Sequence, residues 1–200
     1  MTDSTVVQSD VFRIKGNTVI NLNGNKFEFE GNDILFRVED GGCLTINGEA
    51  EGNEIKSADY IGSVNEGGVL VVNGGDYEAA TTCFQSNGGE LYITAGKFNA
   101  FEDTYFGKYT INFIDSMKTV GKVEISGGTF VNFNPAASIS ESPEYNYLAE
   151  NKAVEVMYNG QNISLNKPEA QYGNANLTYA QQPYSSGFAS LNLTIEYTVK

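Results

Sequence analysis

One eight-residue pattern recurs through the first two thirds of the chain: apolar, any residue, apolar, small polar, glycine, two further residues, aromatic. It runs from Ile20 to Phe27, from Leu70 to Tyr77, from Leu91 to Phe98 and from Val123 to Phe130. A degenerate copy runs from Leu44 to Glu51, with glutamate in the aromatic slot. Successive copies start 24, 26, 21 and 32 residues apart. Self-similarity at such spacings marks repeat architectures, in which one unit cannot bury its apolar face alone but stacked units can.

A second element precedes three of the copies. Gly41-Gly42, Gly67-Gly68 and Gly88-Gly89 sit at one offset before Leu44, Leu70 and Leu91. Strand-like runs lie ahead of them: Ile34 to Val38, Tyr60 to Val64 and Thr81 to Phe84. Each unit therefore reads as strand, Gly-Gly turn, strand, glycine turn and aromatic-led strand. Alternation at period two, without helical periodicity, is the β signal. The expected fold is all-β, a right-handed single-stranded parallel β-helix with a small C-terminal β module. An antiparallel sandwich also has short strands and frequent turns. It does not repeat like residues at like positions coil after coil.

Stacking the copies predicts continuous ladders. Ile20, Leu44, Leu70, Leu91 and Val123 form one aliphatic column, and Leu22, Ile46, Val72, Ile93 and Ile125 a second. Phe27, Tyr77, Phe98 and Phe130 form a broken aromatic column. Asn23, Asn47 and Asn73 form a turn ladder, continued by Thr94 and Ser126, whose amides can hydrogen-bond along the axis. Gly24, Gly48, Gly74 and Gly127 sit beside it, and Ala95 interrupts the glycine column.

After Phe130 the texture changes. Residues 131–147 read as loop, with Pro135 and Pro143, and Asn159-Gly160 between two alternating runs is a hairpin signal. Lys167 to Gly187 reads as irregular. From Ala189 to Lys200 every odd position is apolar and every even one polar or charged. That is one strand with one buried face, and its apolar set is Leu191, Leu193, Ile195, Tyr197 and Val199. Such a face needs a cover: a neighbouring copy, another protein, or the chain's own last coil. The expectation is that it forms an oligomer interface. The division is an N-terminal arm over 1–10, the β-helix over 11–134, and a C-terminal cap, hairpin and terminal strand over 135–200.

Composition narrows the chemistry. Lys and Arg number 12 against 25 Asp and Glu, a net charge of −13. Phosphate binding needs a cationic face, so no nucleic-acid partner is expected. There is no histidine, which removes Ser-His-Asp and Cys-His nucleophiles and histidine metal sites. No stretch approaches a membrane span and the chain start does not read as a signal peptide, so neither membrane insertion nor export is expected. Cys43 and Cys83 read as buried thiols.

Paired carboxylates suit glycoside hydrolysis. Glu28 with Glu30, Glu49 with Glu51, and Asp76 with Glu78 each fall on one strand face, about 7 Å apart. In so acidic a chain these read first as a solvated surface. Arg13, Lys15 and Arg37 are the basic residues that a lyase would use, without an Asp-rich setting. Glu39-Asp40 and Glu102-Asp103 lack a spaced calcium loop. Tyr60 and Tyr92 are candidate sugar-stacking rings, but read first as packing residues. The expectation is no catalytic residues, no metal and no cofactor.

The run Ile125-Ser126-Gly127-Gly128-Thr129-Phe130-Val131-Asn132-Phe133-Asn134-Pro135, followed by Tyr147-Leu148-Ala149-Glu150 and the stretch to Val156, carries a family resemblance. It resembles the closing coil and cap of pectate-lyase-like right-handed β-helices in bacteriophage structural proteins and bacterial surface proteins. The resemblance spans roughly residues 16–165. It implies a non-enzymatic virion protein, a head decoration or a head or tail fibre subunit, made in the host cytoplasm and displayed on the virion surface. It also implies a homo-oligomer, commonly a trimer, in contact with other virion proteins, with a host-surface glycan as the candidate ligand. The alternatives are a carbohydrate-binding adhesin module and a polysaccharide-degrading β-helix enzyme.

Overall fold

Short alternating strands separated by glycine turns let the chain wind rather than fold back, and like strands pair in parallel from coil to coil. The computed structural model describes residues 5–49, 51–102, 109–138, 145–158, 161–163 and 194–200. The chain opens with β1 (Thr5–Gln8), β2 (Phe12–Ile14), β3 (Asn17–Asn21) and β4 (Lys26–Phe29). The second coil is β5 (Ile34–Val38), β6 (Cys43–Gly48) and β7 (Glu54–Ser57). The third is β8 (Tyr60–Asn65) and β9 (Val69–Ala79), and the fourth β10 (Thr82–Asn87) and β11 (Glu90–Ala100). The fifth is β12 (Ile111–Phe113), a 3-10 turn at Asp115–Met117, β13 (Lys122–Ile125) and β14 (Gly128–Val131). The C-terminal module is β15 (Val154–Tyr158), β16 (Gln161–Ile163) and β17 (Ile195–Val199).

These strands make three faces of a right-handed parallel β-solenoid. The first face stacks β2, β5, β8, β10 and β12. The second stacks β3, β6, the first half of β9, the first half of β11, and β13. The third stacks β1, β4, β7, the second halves of β9 and β11, and β14. The corner between the second and third faces is tight. A Cβ on Gly48 would lie 2.7 Å from the Gly75 backbone, and Gly74 turns with a φ of 87°, which glycine adopts freely. Residues 5–8, grouped above with an N-terminal arm, extend the third face as β1.

The core lies inside the coils. Leu44, Leu70, Leu91 and Val123 are in register, as are Ile46, Val72, Ile93 and Ile125, and all are buried. The first copy is displaced from this register. Ile20 pairs with Ile46 rather than Leu44, Thr18 pairs with Leu44, and Asn21 pairs with Asn47. Leu22 lies past the end of β3, buried at the corner, where its N–H donates to the Asn47 carbonyl. Asn23 sits in the turn with a φ of 51° and is not a ladder residue. The cause is a corner of variable length. Asn21 precedes Phe27 by six residues, Asn47 precedes Ile55 by eight, and Asn73 precedes Tyr77 by four. Aligning the copies at constant spacing shifts the first by two. The same variation puts Ile55, not Glu51, in the aromatic column, between Phe27 and Tyr77. From there the rings stack, Tyr77 on Phe98 at 5.1 Å and Phe98 on Phe130 at 4.8 Å.

The terminal strand pairs within its own chain. β17 runs antiparallel between β14 and β15 of its own chain. Tyr197 lies opposite Phe130 and Val156, and Val199 opposite Gly128 and Val154. Both are buried there and Ile195 is half-buried, so these three pack on the chain's own last coil. Leu191 and Leu193 lie outside the described residues. So does the Asn159-Gly160 turn, although β15 and β16 on either side of it pair antiparallel.

Candidate functional site

The third face gathers the paired carboxylates. Alternate residues point outward, so stacking brings Lys26, Glu54, Asp76 and Lys97 into one row and Glu28, Lys56 and Glu78 into the next. A shallow groove on this face is lined by Glu28, Glu30, Lys56, Glu78 and the exposed ring of Phe101. A second, at the glycine corner, is lined by Glu49, Glu51, Asn53, Asp76 and Lys97. All three acid pairs singled out from the sequence therefore reach these two grooves.

The bases beside them are engaged. Lys56 bridges Glu54 at 3.0 Å and Glu78 at 3.2 Å, and Lys26 reaches Glu54 at 3.2 Å. Lys97 pairs with Glu196 of the terminal strand at 2.7 Å. Partial burial pushes the Glu54 carboxyl up, but hydrogen bonds from Lys56 and Lys26 outweigh it and hold the group below the ordinary range. The hydrogen bonds to Glu54 and Glu78 hold the Lys56 ammonium above its ordinary value. A general acid for glycoside cleavage needs the opposite shift, a carboxyl kept protonated near neutrality. A lysine fixed as a cation is a poor proton abstractor.

The basic residues of the first face are also in ion pairs. Arg13 donates to Glu39 at 2.6 Å, and Arg37 donates to Asp33. The Arg13 guanidinium and the Asn65 amide hold the Glu39 carboxyl below its usual range. The Ile34 N–H and then Arg37 do the same for Asp33. Both Glu39 oxygens have protein partners, Arg13 on one and Asn65 on the other. Among the described residues no three acidic, histidine or cysteine side chains are grouped to hold a metal. Asp103 lies outside those residues. Tyr92 donates to Glu90 at 2.6 Å with Lys122 5.1 Å over its ring, and Tyr60 is half-buried. Both cysteines are free thiols, and burial pushes the Cys83 thiol up.

Two polar ladders brace the corners. At the first-to-second corner Asn87 donates to Asn65 at 3.2 Å and Asn65 to Glu39 at 2.9 Å. At the second-to-third corner Asn47 donates to Asn21 at 2.8 Å, Asn73 to Asn47 at 3.1 Å, and Thr94 to Asn73 at 2.6 Å. The first of these ladders was missed in the sequence. Its signal is the Glu39, Asn65 or Asn87 at the end of β5, β8 and β10, ahead of each Gly-Gly pair.

Comparison of the chain with protein-family models, curated proteins and solved structures finds no match. The architecture is consistent with the pectate-lyase-like superfamily, which includes structural, adhesive and enzymatic members. Among the described residues no helix is long and apolar enough to cross a membrane.

Proposed function

We propose that this chain is a non-catalytic structural β-helix of a bacteriophage particle, a head decoration or a head or tail fibre subunit displayed on the virion surface. The observation that carries the reading is the pairing of charge between coils. On the third face Lys26, Lys56 and Lys97 each bind a carboxylate of another strand, which braces the stack instead of leaving an acid and a base free to react. The resemblance of residues 125–156 to closing coils of virion β-helices supplies the particle. Antibody against the chain, applied to intact particles for electron microscopy, tests the location: labelling of heads or tails supports it, and bare particles oppose it. Incubating the pure protein with capsular polysaccharide or pectin tests the chemistry. No oligosaccharide should be released. Release that is lost in Glu28→Gln or Asp76→Asn would establish an enzyme.

A second reading has one specific observation behind it. Phe101 is 55% exposed beside the groove of Glu28, Glu30 and Glu78. An exposed ring beside hydrogen-bonding carboxylates suits a sugar. Binding on a glycan array that Phe101→Ala abolishes would make the chain an adhesin module.

A further inference from the structure

We infer that Asn23 is a site of spontaneous deamidation, the asparagine that the fold leaves able to react among its described Asn-Gly pairs. Those pairs are Asn23-Gly24, Asn47-Gly48, Asn73-Gly74 and Asn87-Gly88. The chemistry needs only water and a base. The glycine nitrogen loses its proton and attacks the asparagine Cγ. The Cγ–N bond of the amide then breaks and ammonia leaves. The cyclic succinimide takes up water at either carbonyl and opens to aspartate or isoaspartate. A following glycine favours the attack, because it has no Cβ to obstruct the approach. In a folded chain the rate rests on two things: whether the carboxamide can swing, and whether the glycine nitrogen can be reached.

Three of the pairs are held on both counts. Asn47 donates to Asn21 and accepts from Asn73, and Asn73 in turn accepts from Thr94. Asn87 donates to Asn65. All three asparagines are half-buried, and the glycines that follow them are buried. Gly48 and Gly74 lie opposite each other in the parallel sheet, and Asn87 lies opposite Asn65. Bringing the glycine nitrogen under Cγ at any of these positions means parting stacked coils. Openings of that kind lie toward the global end of the stability range.

Asn23 differs in each respect. It is exposed, Gly24 is half-exposed, and the Asn23 carboxamide has no hydrogen bond among the described residues. The pair sits past the end of β3, at the centre of a turn with φ of 51° at Asn23 and 79° at Gly24. The Asn25 N–H and side-chain amide both donate to the Leu22 carbonyl, and the Gly24 N–H donates to Asn53 Oδ1. In the closed turn Asn53 therefore engages the attacking nitrogen, and the reaction runs from the opened turn. Opening it releases these local bonds and leaves the sheet pairing of β3 and β4 in place, so it belongs to the low-cost end of the same range.

The product changes the first coil. Either acid adds a negative charge to a chain that already carries −13. Isoaspartate also lengthens the backbone by a methylene between Leu22, buried at the corner, and β4, which pairs with β7. The turn that sets the distance between the second and third faces is thereby altered in an age-dependent way.

Peptide mapping by fragment-ion mass spectrometry tests this on the full chain, aged at mildly alkaline pH and physiological temperature. In the folded chain the acid forms of residue 23 should accumulate about tenfold or more faster than those of residues 47, 73 and 87. In the same chain aged in denaturant, the four positions should convert at similar rates. Two results would overturn the inference. One is a folded chain in which any of the other three converts within about tenfold of Asn23. The other is a folded chain that keeps Asn23 intact for as long as the denatured chain takes to lose most of its amide there.

Discussion

At the scale of single residues, position inside the coil decides what a side chain is worth. Leu70 is fully buried between Leu44 and Leu91. Leu70→Ala should cost about 2–5 kcal/mol in denaturant unfolding, because neighbouring coils cannot collapse into the gap. Leu70→Asp, an unpaired charge in the same place, should yield no folded protein. The amide ladder separates two asparagines that look alike in sequence. Asn47 both donates and accepts along the axis, so Asn47→Ala should cost about 1–3 kcal/mol. Asn23 is a turn residue at positive φ, so Asn23→Gly should change stability by less than about 0.5 kcal/mol, or raise it. Glu54 sets an acid limb. Its carboxyl lies below the ordinary value of 4.5 in the folded chain. The stability it contributes is therefore complete above that value and is lost as pH falls through the lower folded value. Glu54→Gln should be less stable than wild type at about pH 7, and the difference should narrow toward about pH 3 in chemical melts.

At the scale of elements, legibility followed the constancy of spacing. From Leu70 onward, ladder residue and aromatic stay four apart, so Leu70, Leu91 and Val123, with their partners two residues on, could be aligned by eye. The first two coils carry longer corners, and a loop can lengthen at the rim without disturbing the stacked strands. That hid Asn21 behind Asn23 and Ile55 behind Glu51. The acid pairs were legible as pairs, but their gathering on the third face depends on which coil lies over which. Lys97 meeting Glu196 joins residues almost a hundred positions apart, and nothing local signals it. The terminal strand was legible as a half-buried strand, but period two cannot name what covers it. Its slot between β14 and β15 makes it the lid of the last coil. Ending the chain after Gly187 should therefore uncover Phe130, Val154 and Val156 and lower the melting temperature. Burial of Tyr197 and Val199 is worth about 1.5–3 kcal/mol each. Light scattering should show an unchanged oligomeric mass. A truncated chain that keeps its melt but loses its partner would return the strand to an intersubunit role.

At the scale of the whole molecule, Lys26, Lys56 and Arg13 and the corner amides bind side chains of neighbouring coils, and the core columns run from coil to coil. The proposed display role would use the long faces that this stack presents. Quantitative mass spectrometry of gradient-purified phage particles tests that role most directly. Peptides of this chain should band with the particles at a fixed ratio to the major capsid or tail protein. Recovery of the chain only in the soluble fraction, with none on particles, would contradict it.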